Sequence, residues 1–192
     1  MKKIFFDTEF TGLHQNTTII SIGLISDCGK TFYAEFADYD RDQVDDWLRE
    51  NVIKNLYLQK FDVLRDYQPD SENVLMCGDT EQVSRTLKQW LHQFITDSET
   101  KIEMWSDCLS YDWVLFQSLF GNAFDVPEWI YYIPFDICTL FKMKGIDPDI
   151  SREKFALGDN YSVISKHNAL WDAKIIKLCY YNLKEYGDNC KF

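Results

Sequence analysis

The segment TTIISIGLIS (residues 17–26) is β-branched, apolar and free of charge, a composition that fits a pleated, buried surface and reads as a strand. Cys28-Gly29-Lys30 marks a turn, and TFYAEF (31–36) follows as another strand, so residues 17–36 predict a hairpin. KIFF (3–6) predicts a strand ahead of it. Downstream the period changes. Asp40 predicts the cap of a helix with Val44, Trp47, Leu48, Asn51 and Val52 along one side. Residues 54–78, interrupted by Pro69, read mostly as loop. Asp79 with Gln82 three later forms a capping box, and Val83, Leu87, Trp90, Leu91 and Phe94 continue at helical spacing. KIEMW (101–105) is a fourth strand, SYDWVLFQSLF (110–120) a helix, and IYYIPFDI (130–137) a fifth strand that Pro134 confines to an edge or a strand end. Residues 145–166 read as loop with room for a short helix. Ala169, Ala173, Ile176, Tyr180 and Leu183 stripe a long helix over 168–186. Three strands, then helices alternating with strands, predict a mixed sheet flanked by helices in an α/β domain. At 192 residues, one domain over 1–192 is the expectation.

Apolar residues make up 46% of the chain, enough for a core, yet no run approaches the roughly 18 apolar residues of a membrane span. The N-terminal MKKIFFDTEF lacks the apolar stretch of a signal peptide. Cys28, Cys77, Cys108, Cys138, Cys179 and Cys190 contain no C-x-x-C pair, which argues against a zinc site and fits reduced thiols. A cytoplasmic protein with no membrane partner is the expectation. The net charge of −11 disfavours a diffuse grip on phosphates. It serves solubility, or some of the acids hold cations.

Four acids break the apolar pattern. In FFDTEF (5–10), Asp7 and Glu9 share one face of a strand, about 7 Å apart along the chain. They bracket a divalent cation, or the strand ends at Phe6 and both face water. Asp112 occupies the helix face of Leu115, Phe116 and Leu119, and Asp172 that of Ile175, Ile176 and Cys179. The helix dipole alone could account for Asp112 in its first turn, and Asp107 on the preceding loop is the rival acid. Two carboxylates meeting at 4 Å would repel by about 4 kcal/mol at an effective dielectric near 20. They are therefore apart or share cations, and oxygen donors suit Mg²⁺ or Mn²⁺. His167 precedes Asp172 by five residues, a rotation of about 500° on a helix, so the two converge best with His167 on the loop before the helix. There it suits a general base, the alternative being a hydrogen-bonded loop residue. His14 and His92 are assigned to solvent. Lys166 is the one basic residue assigned near the site, or else a solvated lysine.

DTEFTGL (7–13), YDWVLF (111–116) and HNALWDA (167–173), in this order, resemble the three motifs of the DEDDh 3′–5′ exonucleases, the superfamily of ribonuclease T, oligoribonuclease and the proofreading subunit of bacterial replicative polymerase. With ISIG, YAEF and EMW added, the chain looks closest to the small stand-alone bacterial and phage exoribonucleases. The resemblance implies a ribonuclease H-like α/β fold with a five-stranded mixed sheet. It implies Asp7, Glu9, Asp112 and Asp172 as ligands of two divalent cations, and His167 as general base. Where a sister class has Tyr, four residues before the last acid, this chain has Asn168. Phe10, Thr11, Gly12 and Leu13 would hold the 3′-terminal nucleotide, with Leu13 as a wedge. Hydrolysis from single-stranded 3′ ends, of RNA before DNA, and a homodimer are further implications. One departure is DCLSYD (107–112), which lacks the Asn often found just before the second-motif acid. The competing readings are an inactive nucleic-acid-binding or interaction module on the same fold and a mononucleotide phosphatase. The aromatics at 129–135 are assigned to the core, with an interface as the alternative.

Overall fold

In this computed structural model, residues 1–58, 72–158 and 167–186 are described. The first strand, β1 (Lys2–Phe10), does not stop at Phe6 but runs through both acids. Its apolar residues divide by alternation. Ile4 and Phe6 enter one core cluster and Phe5 enters another, so Asp7 and Glu9 continue the Phe5 side. β2 (Ile19–Ser26) and β3 (Thr31–Phe36) complete the antiparallel meander. β2 is buried along its whole length, as its uncharged composition requires.

Among the described residues the sheet has six strands, in the order β4-β3-β2-β1-β5-β6, with β4 (Asn73–Gly78), β5 (Ile102–Ser106) and β6 (Phe135–Asp136) all parallel to their neighbours. The mixed sheet is as expected; the count of five is not. The additional strand, β4, lies in the stretch read as loop. Only Val74, Met76 and Gly78 of its six residues are buried, so its apolar signal is short. The fifth predicted strand shrinks to Phe135–Asp136 at the sheet edge, with Ile130 bridging to Ile102.

Helices cover both faces. α2 (Thr80–His92), with its capping box formed, and α3 (Ser110–Ser118) bury Val83, Leu87, Trp90, Leu115 and Phe116 on the Ile4–Phe6 side. α6 (Ala169–Glu185) and α4 (Ile137–Met143) bury Ala173, Ile176, Ile137 and Phe141 on the Phe5 side. The helix expected from Asp40 is shorter and later. Asp40 caps only the 3-10 turn Arg41–Gln43, and Asp45 caps α1 (Asp46–Asn51). Rotating the start in this way buries Leu48 and Val52 but leaves Trp47 exposed. α4 was not expected; Asp136 caps it directly after β6, leaving no loop to announce it. α5 (Arg152–Leu157) is the short helix anticipated within 145–166. Of the aromatics at 129–135, Trp129 packs on the core and Phe135 stacks on Trp105, whereas Tyr132 is exposed. The five described cysteines are free thiols, and among the described residues no helix is long and apolar enough to cross a membrane.

Candidate active site

In the β1–β2 register, Asp7 lies opposite Gly23. A Cβ on Gly23 would sit 2.2 Å from the backbone nitrogen of Leu170 and 2.3 Å from the carbonyl carbon of Ala169. The N-terminus of α6 therefore rests directly on the sheet beside Asp7, in space that only glycine leaves open. Asp172, in the first turn of that helix, is thereby carried onto the acids of β1. One carboxylate oxygen from each of Asp7, Glu9 and Asp172 falls within 4.8 Å of the other two. Gly23→Ala is expected to lift the helix start, with a stability cost of about 3 kcal/mol and a fall in melting temperature of about 6–12 °C, read by thermal unfolding. An unchanged melting temperature would show that α6 can shift freely.

Such proximity is electrostatically expensive. Burial, then the charges of Asp112, Asp172, Glu9 and Asp107, hold the Asp7 carboxyl well above its usual range. Burial, then Asp172 and Asp112, push Glu9 up to about 8. The three groups cannot all ionise at neutral pH without a compensating positive charge. The residues fit a hard divalent cation: the donors are carboxylate oxygens alone, clustered, and short of protons as pH rises.

Asp112 reaches the site from the opposite face of the sheet. It is buried on α3 with Leu115 and Phe116, as its position in the pattern required. Its carboxylate accepts from the Thr8 backbone N–H at 2.9 Å, from the Thr8 hydroxyl, and from the Ser106 hydroxyl at 3.1 Å. Burial raises it to about 6 while these donors pull the other way. It stands outside the three-carboxylate group, although its field on Asp7 is the largest of the neighbouring acids. The rival, Asp107, is engaged elsewhere. Arg152 pairs with both of its oxygens at 2.9 Å, and the Cys138 thiol donates to it at 2.9 Å. Asp107, Asp136 and Cys138 also cluster, but Arg152 already occupies both oxygens of Asp107.

A cavity of about 700 Å³ opens over the acids, lined among others by Asp7, Asp172, His167, Asp107 and Arg152. His167 stands on the loop before α6, as expected, with φ +62 in the left-handed region. The ring of Trp47 meets its imidazole edge-on, centroids 5.3 Å apart. His14 and His92 are exposed. Lys166 lies outside the described residues.

The residues after β1's acids divide in character. Phe10 stacks on Tyr111 with centroids 5.3 Å apart and packs on the core. Thr11 is buried, donating to Gln43 Oε1 and accepting from the Thr18 N–H. A Cβ on Gly12 would sit 2.8 Å from His14 Nε2. Leu13 is 77% exposed, an apolar side chain left for something else to cover. Two further residues of the region escaped sequence reasoning. Trp47 was assigned to a buried helix face, and Arg152 sits in a stretch with no periodicity; its Asp107 partner is distant in sequence.

The model of the 3′-5′ exoribonuclease Rv2179c-like domain matches residues 2–182. The chain belongs to this family. The Rv2179c-like match takes in every acid described above and His167. Two curated relatives, the 3′-5′ exoribonucleases MT2234.1 and Rv2179c from two strains of Mycobacterium tuberculosis, are each 25% identical over 143 residues, 74% of this chain and 76% of theirs. In structure the chain is similar to the RNase domain of the yeast Pop2 protein, with a TM-score of 0.58 at 14% identity over 95% of this chain and 76% of that one. It is also similar to the Neurospora crassa Pan2 catalytic unit of protease and nuclease domain, with a TM-score of 0.55 at 15% identity. That match covers 96% of this chain but only 27% of the Pan2 chain. These likenesses carry the fold: a ribonuclease H-like α/β domain.

Proposed function

We propose that this chain is a 3′–5′ exoribonuclease that releases nucleoside 5′-monophosphates from single-stranded RNA ends. The observation that carries the reading is the meeting of Asp7, Glu9 and Asp172 within 4.8 Å, beneath a cavity that His167 also lines, in a member of the Rv2179c-like family. Asp7, Glu9 and Asp172 would hold one divalent cation, Mg²⁺ or Mn²⁺, and Asp7 with the more distant Asp112 a second. When bound, such ions supply Lewis-acid charge to the nucleophile and to the leaving 3′ oxygen.

The chain's own groups do the rest. Asp112, fixed by Thr8 and Ser106, adds negative charge beside Asp7 without moving. His167 accepts a proton from the attacking water as its oxygen bonds to phosphorus and the bond to the 3′ oxygen breaks. The exposed Leu13 gives the terminal base an apolar surface, which is tolerant of sequence. With its five described cysteines free, the chain suits a reducing cytoplasm. The homodimer implied by resemblance is part of the same proposal.

Product analysis tests the reading. RNA and a matched DNA, each labelled in the last phosphodiester before the 3′ terminus, are incubated with Mn²⁺, with Mg²⁺ or with EDTA. Labelled nucleoside 5′-monophosphate released first from RNA, and not in EDTA, is the expected result. Faster release from DNA would reverse the sugar assignment, and inorganic phosphate freed from an added mononucleotide, with RNA and DNA left intact, would identify a phosphatase. His167→Ala is expected to slow release by about 10²–10⁴-fold while leaving cation-induced thermal stabilisation intact.

A further inference from the structure

A second polar cluster lies at the His167 loop, built on Glu35, Tyr33 and Asn168. Glu35 is wholly buried, a costly place for an acid unless its oxygens are bonded. Its Oε1 accepts from the Tyr33 hydroxyl at 2.9 Å and from the Leu58 and Tyr57 backbone N–H groups. Tyr33 is also wholly buried, and burial together with the Glu35 charge holds its phenol far above the usual range, so it stays a donor. The Tyr33 oxygen in turn accepts from Asn168 Nδ2 at 3.3 Å, and that same amide donates to the Asn55 carbonyl at 3.2 Å. Asn168, 1% exposed, is the residue after His167 and the N-cap of α6, its Oδ1 accepting from the Trp171 N–H at 3.2 Å.

This chain of bonds joins β3, the 55–58 segment and the start of α6 at the point where the backbone turns through the left-handed φ of His167. These bonds satisfy the Tyr57 and Leu58 N–H groups and the Asn55 carbonyl, and they also hold the residue that directly follows His167. We propose that Asn168, Tyr33 and Glu35 are positioning residues for His167: they lock the backbone pivot from which the imidazole faces the cavity. The inference rests on the exonuclease reading and on His167 as its base. Asn168, read in the sequence only as a mark of the histidine class, acquires a physical task. Its side-chain oxygen caps the helix, and its side-chain nitrogen ties the pivot to Tyr33.

The test is a double-mutant cycle. Tyr33→Phe removes one hydroxyl and keeps the ring that packs on Tyr57. Asn168→Ser keeps a capping oxygen and removes the amide donor. Each is compared with the parent chain and again in the His167→Ala background, reading kcat and KM on single-stranded RNA and the Mn²⁺-induced change in melting temperature. Each is expected to lower kcat about ten- to a hundredfold, with KM and the Mn²⁺ shift unchanged, and to add no further loss once His167 is gone. An equal loss in the His167→Ala background would overturn the proposal, since the effect would then bypass the imidazole. So would an unchanged kcat in folded Tyr33→Phe and Asn168→Ser. A parent chain inactive on RNA would count against the exonuclease reading itself, and the Mn²⁺ shift measured alongside would show whether the cation site survives that failure.

Discussion

Asp7→Asn and Asp172→Asn are each expected to lower RNA turnover by at least about a thousandfold, equivalent to about 4 kcal/mol of barrier, while the protein remains folded. The two residues stand in different positions in the fold, one on the central β1 and one on the first turn of α6, and meet only because Gly23 lets the helix onto the sheet. Each substitution keeps the shape of the side chain and removes one carboxyl from a cluster in which burial and neighbouring charges raise Asp7 and Glu9. In metal-free buffer the Asn variants are therefore expected to melt at the same temperature as the parent chain or higher. With Mn²⁺ present they lose most of the cation-induced stabilisation. A loss of activity together with unfolding would mean that the acids serve structure; full activity in either folded variant would remove it from the cation site. Glu9→Gln is expected to follow the same pattern, because its carboxylate belongs to the same cluster.

The second large effect couples pH to the cation. Glu9 titrates at about 8 in the folded chain against an ordinary value of 4.5, and Asp7 is displaced in the same direction. Between those limits the folded state keeps protons that the unfolded state has released. The slope of unfolding free energy with pH is then negative, so metal-free protein loses stability as pH rises from about 4.5 toward 8. A divalent cation held by these acids would take the place of those protons, and its stabilisation is expected to grow over the same window. At a hundredfold excess over the dissociation constant, linkage contributes about 2.7 kcal/mol, or about 5–10 °C in melting temperature for a chain of this size. Thermal unfolding at pH 5.5 and pH 8, with Mn²⁺ and with EDTA, is expected to show the larger shift at pH 8. Equal shifts at the two pH values would mean that the cation binds away from Asp7 and Glu9.

The acids of the site were legible because each violates a local period. Asp7 and Glu9 stand out on a strand whose neighbours are apolar, and Asp112 and Asp172 on helix faces that are otherwise buried. Period is a short-range property, so sequence could report the violations without reporting their relief. The donors that make Asp112 tolerable come from Thr8 and Ser106, and Thr8 is 104 residues away in the chain. The Asp107–Arg152 pair spans 45 residues, so position alone favoured Asp112 over Asp107 without showing what occupied the rival. Trp47 was misassigned for a related reason. Asp40 and Asp45 are both good caps, and choosing the first rotates the following residues onto the wrong face. β4 escaped because parallel pairing with β3 supplies its backbone partners, and three buried residues in six leave little pattern to detect. The hairpin of β2 and β3, by contrast, is local in sequence and was visible before any contact was known, whereas the pairing of β1 with β2 was not.

One time course tests the central claim most directly: a single-stranded RNA labelled at its 5′ end, incubated with the purified chain and Mn²⁺, with EDTA as the paired reaction. The account predicts a ladder that shortens one nucleotide at a time from the 3′ end and is absent in EDTA. Internal cuts, or an intact RNA under every ion with the protein shown to be folded, would contradict it.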